Sequence, residues 1–137
     1  SVSAHGQTEV TVEGETLRVE TSAAPTPEAD WSQAFEGRDG DVILRWTDPI
    51  AGARVRLSMT DCVGSHGGIG EFEIQCEAAD TGELTLPDAF LTALESGDWS
   101  RGECGSHRLV RYGIDDSADG TFRLEAPSAA DFFYFPR

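Results

Sequence analysis

The chain contains no lysine and no asparagine, and all ten of its basic residues are arginine. Without lysine there is no Schiff-base lysine and no phosphate-loop lysine, so two families of catalytic and nucleotide-binding sites are excluded. Without asparagine there is no Asn-x-Ser/Thr glycosylation sequon, and a Lys–Asn isopeptide bond cannot form. Long apolar runs are also absent, since none approaches the ~18–20 residues that span a bilayer as a helix.

Acidic residues dominate the charge that is present. The 25 acidic residues outweigh 10 basic ones and give a formal net charge of −15. Such a surface repels phosphate backbones and anionic lipid, so we expect neither a nucleic-acid partner nor membrane insertion. A length of 137 residues with 39% hydrophobic content predicts a single folded domain around one core.

Short alternating segments separated by turn residues recur along the chain and predict strands. The first two place Val10 and Val12, then Leu17 and Val19, on one face. The predicted strands are 8–12, 16–20, 41–47, 54–60, 71–77, 82–86, 106–114, 121–126 and 131–135. About eight or nine short strands at this spacing are typical of an all-β sandwich or barrel.

Two other segments break the strand pattern. The stretch 22–30 has two prolines and no periodicity, so it predicts a linker or a crossing from one sheet to the other. It belongs to a predicted N-terminal part, 1–36, which precedes a sandwich body, 37–137. The stretch 87–96 predicts one short helix that covers an end of the sandwich, with Pro87 in its first turn and Gly97 as its stop. We expect Phe90, Leu91 and Leu94 to share its apolar side.

Two segments resemble a known family. DVILRWTDPIAGARVRLS (41–58) resembles the second and third strands of fibronectin type III domains, with a Trp-Thr strand end, a proline corner and a glycine turn. HRLVRYGIDDSADG (107–120) is similar to that family's penultimate strand and closing turn. The resemblance covers about half the chain and implies an immunoglobulin-like antiparallel β-sandwich. Members of that family serve as binding and spacer modules, although a fold alone assigns no function.

The three cysteines allow three single disulfides, and strand geometry separates them. If 54–60 and 71–77 form a hairpin, matching their apolar faces sets Leu57 opposite Ile74 and Val55 opposite Cys76. Cys62 then lies about 23 Å along the strand from the partner of Cys76, at ~3.3 Å per residue. Because a disulfide needs Cα atoms within ~7 Å, a Cys62–Cys76 bridge is excluded.

Of the two pairings that remain, the one between Cys62 and Cys104 indicates an oxidising compartment. Cys62 and Cys104 lie in similar glycine-rich segments, Cys-Val-Gly-Ser-His and Cys-Gly-Ser-His, and we expect a disulfide between them. Cys76 is then a buried free thiol. The disulfide predicts an extracellular or cell-surface protein, and three reduced thiols in a cytosolic protein are the alternative.

Two weaker patterns could bind a metal. Cys62, His66, Cys104 and His107 supply the ligand count of a tetrahedral zinc site, although a disulfide would compete for the thiols. Asp115, Ser117 and Asp119 match the opening of a calcium loop. The closing acidic ligand of that loop is missing, so a polar hairpin turn is the favoured interpretation. We predict no cofactor.

The sequence contains little evidence for a catalytic site. A Ser65, His107 and Asp61 arrangement is conceivable, because the two glycine-rich segments could meet, but nothing requires it. The surrounding Gly-Ser-His-Gly-Gly run is not a Gly-x-Ser-x-Gly nucleophile elbow. We therefore predict no catalytic residue and expect a protein that is not an enzyme.

The aromatic C-terminus carries the strongest functional prediction. Phe132, Phe133, Tyr134 and Phe135 put large apolar groups on both faces of one predicted strand. Such a strand is either central and covered on both sides, or it meets a partner, because an exposed apolar edge invites association. These four residues are the predicted interaction surface, facing a second copy or a neighbouring domain.

Three hypotheses about function follow. The first is a non-enzymatic secreted or cell-surface structural module, a subunit of an extracellular polymer that is joined through its terminal strands. The second is a carbohydrate- or ligand-binding sandwich that stacks its ligand on Trp31, Trp46 or Trp99. The third is a metal-dependent hydrolase that uses the His66 and His107 segments.

Overall fold

A computed structural model describes residues 6–63, 68–97, 99 and 106–136 of the chain. Nearly all of its regular structure is β, as the alternating segments predict. In chain order the elements are β1 (Gly6–Val12), β2 (Glu15–Thr21), β3 (Thr26–Pro27), the 3-10 helix η1 (Trp31–Phe35), β4 (Val42–Thr47), β5 (Arg54–Val63), β6 (Gly68–Ala79), β7 (Glu83–Leu86), the α-helix α1 (Asp88–Glu95), β8 (Ser106–Asp116) and β9 (Arg123–Phe133).

The strands form three antiparallel sheets. β3, β4 and β7 make a three-stranded sheet in the order β3-β4-β7, and a four-stranded sheet has the order β6-β5-β8-β9. Among the described strands, β1 and β2 pair only with each other. In the part of the chain that is described, no helix is long and apolar enough to cross a membrane.

One hydrophobic core lies between the two larger sheets. In β4 the alternate residues Val42, Leu44 and Trp46 are buried while the residues between them are exposed. Leu57 of β5 and Leu109 of β8 face the same core from the four-stranded sheet. The period-2 pattern of the sequence therefore sets which face of each sheet is covered.

The predicted helix is confirmed, and it covers the core as expected. Leu91 and Leu94 of α1 are completely buried, whereas Phe90, which we placed with them, is 51% exposed. The Asp41 carboxylate accepts a hydrogen bond from the Asp88 N–H at 2.9 Å. This supplies an acceptor for the first helical turn that the N-cap residue, Pro87, has no side-chain group to provide.

The stretch predicted as a linker or a crossing between sheets leads from β2 into a second sheet and is itself part of the sandwich. β3 pairs with β4 through Thr26 and Pro27, and η1 sends Trp31 and Phe35 into the main core. The sandwich body therefore begins near residue 26 and not at residue 37. The prolines concealed this, because a two-residue edge strand and a 3-10 turn leave no periodic signal.

The β5–β6 hairpin is confirmed, but its predicted register is wrong by two residues. Leu57 pairs with Cys76 and Val55 with Ala78, and the register shifts between Thr60 and Cys62. The shift preserves the buried faces, because moving a strand by two residues keeps each side chain on its side. Cys62 is five positions from Leu57, about 16 Å at ~3.3 Å per residue, so a Cys62–Cys76 bridge remains excluded.

The last two predicted strands are a single strand. Most of both segments, 123–126 and 131–133, belongs to β9, which pairs with β8 without interruption from Arg123 to Phe133. Ser128, Ala129 and Ala130, which lie between the two predicted strands, carry small side chains, yet they pair with β8 like the larger residues on either side. Tyr134 and Phe135 lie just beyond its end.

A buried ion pair ties the two sheets together. Arg111 on β8 donates to the Asp80 carboxylate at 2.6 Å, and both side chains are almost fully buried, at 3% and 0% exposure. Asp80 also accepts from the Trp46 indole N–H at 2.7 Å and from the Ile50 N–H at 2.9 Å. Arg111 donates in addition to the backbone carbonyls of residues 23 and 48.

The β1–β2 hairpin packs against the far end of the β8–β9 hairpin through β2. The Arg18 N–H donates to Asp115, and the Ala118 N–H donates to Glu15, both at 2.8 Å. Leu17 of β2 is 4% exposed, whereas its cross-strand partner Val10 is 40% exposed. Of the apolar face predicted for this hairpin, only the β2 half is covered.

Candidate functional site

β9 is an edge strand, and the end of its outer edge lies beside the aromatic C-terminus. It pairs with β8, and no other described strand is hydrogen-bonded to it. Pro127 lies opposite Tyr112 and has no N–H to give, so this pair must be a non-hydrogen-bonded one. Because hydrogen-bonded and non-hydrogen-bonded pairs alternate along the strand, Ala129, Asp131 and Phe133 also direct their backbone N–H and C=O groups away from β8, toward the free edge.

The aromatic residues of the C-terminus do not share one surface. Phe132 is 9% exposed and packs against Trp31 and Phe35, with ring centroids 5.5 and 6.0 Å apart. Tyr134 is also buried and stacks on Phe35 at 4.3 Å. Phe132 and Tyr134 are therefore core residues, which corrects the prediction that they form an interaction surface.

Phe133 alone of these residues is largely open to solvent. It is 56% exposed, the largest exposed fraction of any large hydrophobic side chain in the described residues. Phe135 is half-buried and packs edge-on against Trp99, with 5.6 Å between the ring centroids. The strand is thus neither central nor covered on both sides, and its exposed face centres on Phe133.

An open groove of 1130 Å³ borders this strand end. We call it the terminal groove, and it is lined by Phe35, Arg38, Asp88, Glu95, Phe133 and Tyr134 among others. Arg38 binds Glu95 through two hydrogen bonds, of 2.9 and 2.6 Å, and it also contacts Asp88. The groove therefore combines an arginine whose charge is paired with two carboxylates and the apolar end of β9.

The charges of the terminal groove stabilise one another. The Arg38 guanidinium holds the pKa of Glu95 below its usual value of 4.5, and the Tyr134 hydroxyl, which also donates to Glu95, acts in the same direction. Burial, followed by this hydrogen bond to Glu95, raises the pKa of Tyr134 well above its usual value of 10.0. At neutral pH the site is an arginine–glutamate pair capped by a neutral tyrosine.

This pair predicts a loss of stability in acid. Because the folded-state pKa of Glu95 is depressed, its contribution is complete above the unfolded value of about 4.5 and is lost as the pH falls below it. We expect the free energy of unfolding to fall less between about pH 5 and about pH 3 in Glu95→Gln than in the wild type. Urea titrations at each pH measure this. Glu83→Gln, which changes an exposed carboxylate, is the control, and equal losses in Glu95→Gln and the wild type would contradict the assignment.

The residues predicted for a disulfide or a zinc site are only partly placed. Cys104 and His66 lie outside the described residues, and for Cys62 only the backbone, in β5, is described. Cys76 is a free cysteine, half-buried, and burial raises the pKa of its thiol. His107 lies on β8 with its ring in the interior, 2% exposed, and not in an open loop.

His107 sits in an aromatic environment. Its ring lies 5.5 Å from Phe132 and 6.2 Å from both Trp99 and Tyr134, measured between centroids. Burial lowers the pKa of His107 below its usual 6.5, and a hydrogen bond to the Tyr134 carbonyl opposes that shift. Of the conceivable Ser65, His107 and Asp61 arrangement, Asp61 is also buried, while Ser65 lies outside the described residues.

The calcium-loop candidate is a hydrogen-bonded hairpin turn. The Ser117 hydroxyl pairs with Asp119 at 2.8 Å and accepts from the Phe122 N–H at 3.0 Å. Asp119 accepts from the Thr121 N–H, and Asp115 accepts from the Arg18 N–H. These oxygens bond to the chain itself, which agrees with the turn interpretation favoured from the sequence.

The tryptophans considered for sugar stacking belong mostly to the core. Trp46 is 1% exposed and donates to Asp80, and Trp31 is 3% exposed and donates to the Arg45 carbonyl at 2.7 Å. Neither ring presents a face to solvent. Trp99 is half-buried, and it packs against the core with its indole N–H donated to the Leu94 carbonyl at 2.9 Å.

Comparison with known proteins adds no relative to this description. No protein-family model matches the chain, and neither a curated protein nor a solved structure matches it.

Sequence reasoning missed the polar half of the terminal groove. Arg38 follows Gly37 ahead of β4, and Glu95 is on α1, 57 positions later, so neither belongs to a local motif. The only local signal was an arginine in the Gly-Arg-Asp-Gly stretch 37–40, and it does not indicate which acidic residue Arg38 binds. Only the fold selects Glu95 and Asp88 among the 25 acidic residues.

Proposed function

We propose that this domain is a non-enzymatic structural or assembly module of the extracellular or cell-surface kind, joined to a second copy of itself through the outer edge of β9. One observation carries the proposal: this edge pairs with no other described strand, and it ends at the exposed Phe133. An edge of this kind is a template for adding a strand from another chain.

The distribution of protective features along β9 supports one half of the edge as the joining surface. Natural edge strands discourage pairing with prolines and charges, and Pro127 with Arg123 and Glu125 protect the first half in this way. The second half, 128–133, carries alanines and serine, with Asp131 as its one charge. That charge is already paired, since Asp131 binds Arg108 at 2.7 Å.

The terminal groove gives a joining strand a place for its side chains. The groove is open and wide, with apolar and paired polar walls, which suits an extended peptide segment better than a small enclosed ligand. A strand added at Ala129 to Phe133 would bury the Phe133 ring and satisfy outward-facing backbone groups. Backbone hydrogen bonds would supply affinity, and the Phe133 contact would supply specificity.

The wider identity proposed for the module follows the sequence resemblance. Seven strands, β3 to β9, in sheets of three and four support assignment to the fibronectin type III or immunoglobulin-like sandwiches, to which two of its segments are similar. The proposal includes a Cys62–Cys104 disulfide. Mass spectrometry of non-reduced peptides tests it, and free thiols at both positions would remove the argument for an oxidising compartment.

Sedimentation velocity across a range of protein concentrations tests the proposed assembly. We expect the wild type to associate, and we expect Phe133→Ser and Ala129→Pro to remain monomeric at the same concentrations. Ala129→Pro removes an outward N–H without touching the β8 ladder, while Phe133→Ser removes the exposed ring. Phe90→Ser, which removes another exposed phenylalanine from α1, is the matched control and should associate like the wild type.

Deletion of the C-terminus is a poorer experiment than these substitutions. Removing residues 131–137 would also remove Phe132 and Tyr134 from the core and would unfold the domain for unrelated reasons. A wild type that stays monomeric at every concentration, or association that survives both β9 variants, would contradict the proposal.

A further inference from the structure

β1 is a further edge strand in the described part of the chain. Among the described strands it pairs only with β2, and six of its seven residues are exposed. It contains no proline, and its single charged residue, Glu9, is bound to Arg18 at 2.6 Å. Natural edge strands discourage pairing with prolines and charges, and β1 has only this one charge, which is already paired.

The turn of the β1–β2 hairpin determines which backbone groups of β1 are free. Glu13 and Gly14 have positive φ angles, 50° and 80°, as a type I′ turn requires, and the residues that flank such a turn form a hydrogen-bonded pair. Because hydrogen-bonded and non-hydrogen-bonded pairs alternate, the N–H and C=O groups directed away from β2 are those of Gln7, Glu9 and Thr11. The Arg18 N–H, opposite Glu9, donates to Asp115 and not to β1, which agrees with this alternation.

The apolar side of β1 is open as well as its edge. Val10 pairs with Leu17 across the hairpin, so the two side chains point to the same side. Leu17 is buried at 4% exposure, whereas Val10 is 40% exposed. β1 therefore presents an uncovered valine together with a row of free backbone groups.

The open half of β9 offers a complement to both features. If the outward groups of β1 bond to those of β9, the residues between them, Val10 included, point to the same side as Phe132. Phe132 packs on Phe35, and Phe35 lines the terminal groove. Val10 of an added β1 strand would therefore enter the groove and extend the core there.

The local charge of the two edges is compatible with this contact. In a chain of net charge −15, two copies meet with least repulsion where carboxylates are few and paired. Asp131 is bound to Arg108 and Glu9 to Arg18, so each edge is locally neutral. The edge strand β6, by contrast, carries three glutamates, at 71, 73 and 77.

A second copy of β9 is a poorer occupant of the open half. A two-fold antiparallel pairing centred on Asp131 sets this carboxylate opposite its own copy, and a pairing centred one residue earlier sets Phe133 opposite Pro127, which has no N–H. A pairing centred one residue later brings to the groove only side chains that already pack in the core of their own copy. The antiparallel register that pairs residues 9–12 of β1 with residues 130–133 opposes no two carboxylates and does not reach Pro127.

We propose that the open half of β9, residues 128–133, receives β1 of a second copy as an antiparallel strand, so that the copies join head to tail. The inference rests on the proposed function, in which β9 is the joining edge, and it names the strand that this edge receives. Within one copy β1 is bonded to β2 and not to β9. Because the two joined surfaces differ, a joined pair keeps a free β9 edge on one copy and a free β1 edge on the other.

Sedimentation velocity of two proline variants, each alone and then mixed, tests the strand assignment. Glu9→Pro removes an outward N–H from β1 and leaves its ladder with β2 intact, and Ala129→Pro does the same to β9. We expect each variant alone to stay monomeric at concentrations where the wild type associates. We expect an equimolar mixture to form a species of two chains, because Glu9→Pro keeps an open β9 and Ala129→Pro keeps an open β1. Circular dichroism verifies that both variants are folded.

Val10→Ser tests the apolar part of the contact without a proline. We expect it to weaken association by at least about tenfold, since burying a valine side chain contributes more free energy than a tenfold change in affinity requires. The matched control is Ile43→Ser, which removes a side chain of similar exposure, 38%, from β4 and should associate like the wild type.

The outcomes separate this inference from the proposed function. Association of Glu9→Pro like the wild type, or unchanged association of Val10→Ser, overturns the role of β1 and leaves joining through β9 intact. Two monomeric proline variants that form no complex when mixed also overturn it. A wild type that stays monomeric at every concentration contradicts the proposed function itself, and the inference with it.

Discussion

Replacing Asp80 with alanine should lower the free energy of unfolding by about 3–5 kcal/mol, the range found when one partner of a buried ion pair is removed. The change leaves the Arg111 guanidinium buried without its carboxylate, and it also leaves the Trp46 and Ile50 N–H groups without their acceptor. Urea denaturation followed by tryptophan fluorescence measures the loss.

The matched control is Asp116→Ala, which breaks an exposed pair with Arg123 and should change stability little. A double-mutant cycle with Arg111→Met isolates the coupling between the two charges. If Asp80→Ala is no more destabilising than Asp116→Ala, the buried ion pair does not hold the two sheets together as described.

Phe132→Ala should destabilise the domain by about 3–5 kcal/mol, because truncating a buried phenylalanine removes its apolar contacts and leaves a cavity. The ring packs against Trp31 and Phe35 on the far side of the core. The adjacent variant Phe133→Ala should shift stability by only about 0.5 kcal/mol, as surface substitutions usually do.

Thermal and urea unfolding of these two variants, measured on dilute monomer, provides the comparison. Equal effects of the two substitutions would contradict the alternation of β9, in which Phe132 faces the core and Phe133 faces outward. The comparison also separates a stability role from an association role, because Phe133→Ala should act on assembly and Phe132→Ala on folding.

Local patterns predicted most of the β-structure. Two local patterns correspond to observed elements: the alternation of Val42, Leu44 and Trp46 to β4, and the segment from Pro87 to Gly97 to α1. Both patterns depend only on residues that are close along the chain. Pro25 and Pro27 concealed β3 from prediction. A strand that pairs through only two residues is too short to show an alternating pattern. The register of β5 with β6 also escaped prediction, because two registers that differ by two residues bury the same faces.

The site was predictable only in outline. The aromatic run at 132–135 drew attention to the C-terminal strand, but the sequence could not say which rings point inward without knowing that β9 is an edge strand. The pairing of Arg38 with Glu95, and of Asp80 with Arg111, depends on contacts 57 and 31 residues apart in sequence. Charge composition says that such partners exist and does not say which ones meet.

Amide hydrogen exchange of residues 128–133, followed by NMR at low and high protein concentration, tests the joining surface most directly. The N–H groups of Ser128, Ala130 and Phe132 face β8 and should be protected at every concentration. Those of Ala129, Asp131 and Phe133 face outward, so they should exchange rapidly in dilute solution and become protected as the concentration rises. Exchange at these three positions that does not depend on concentration would contradict assembly through β9.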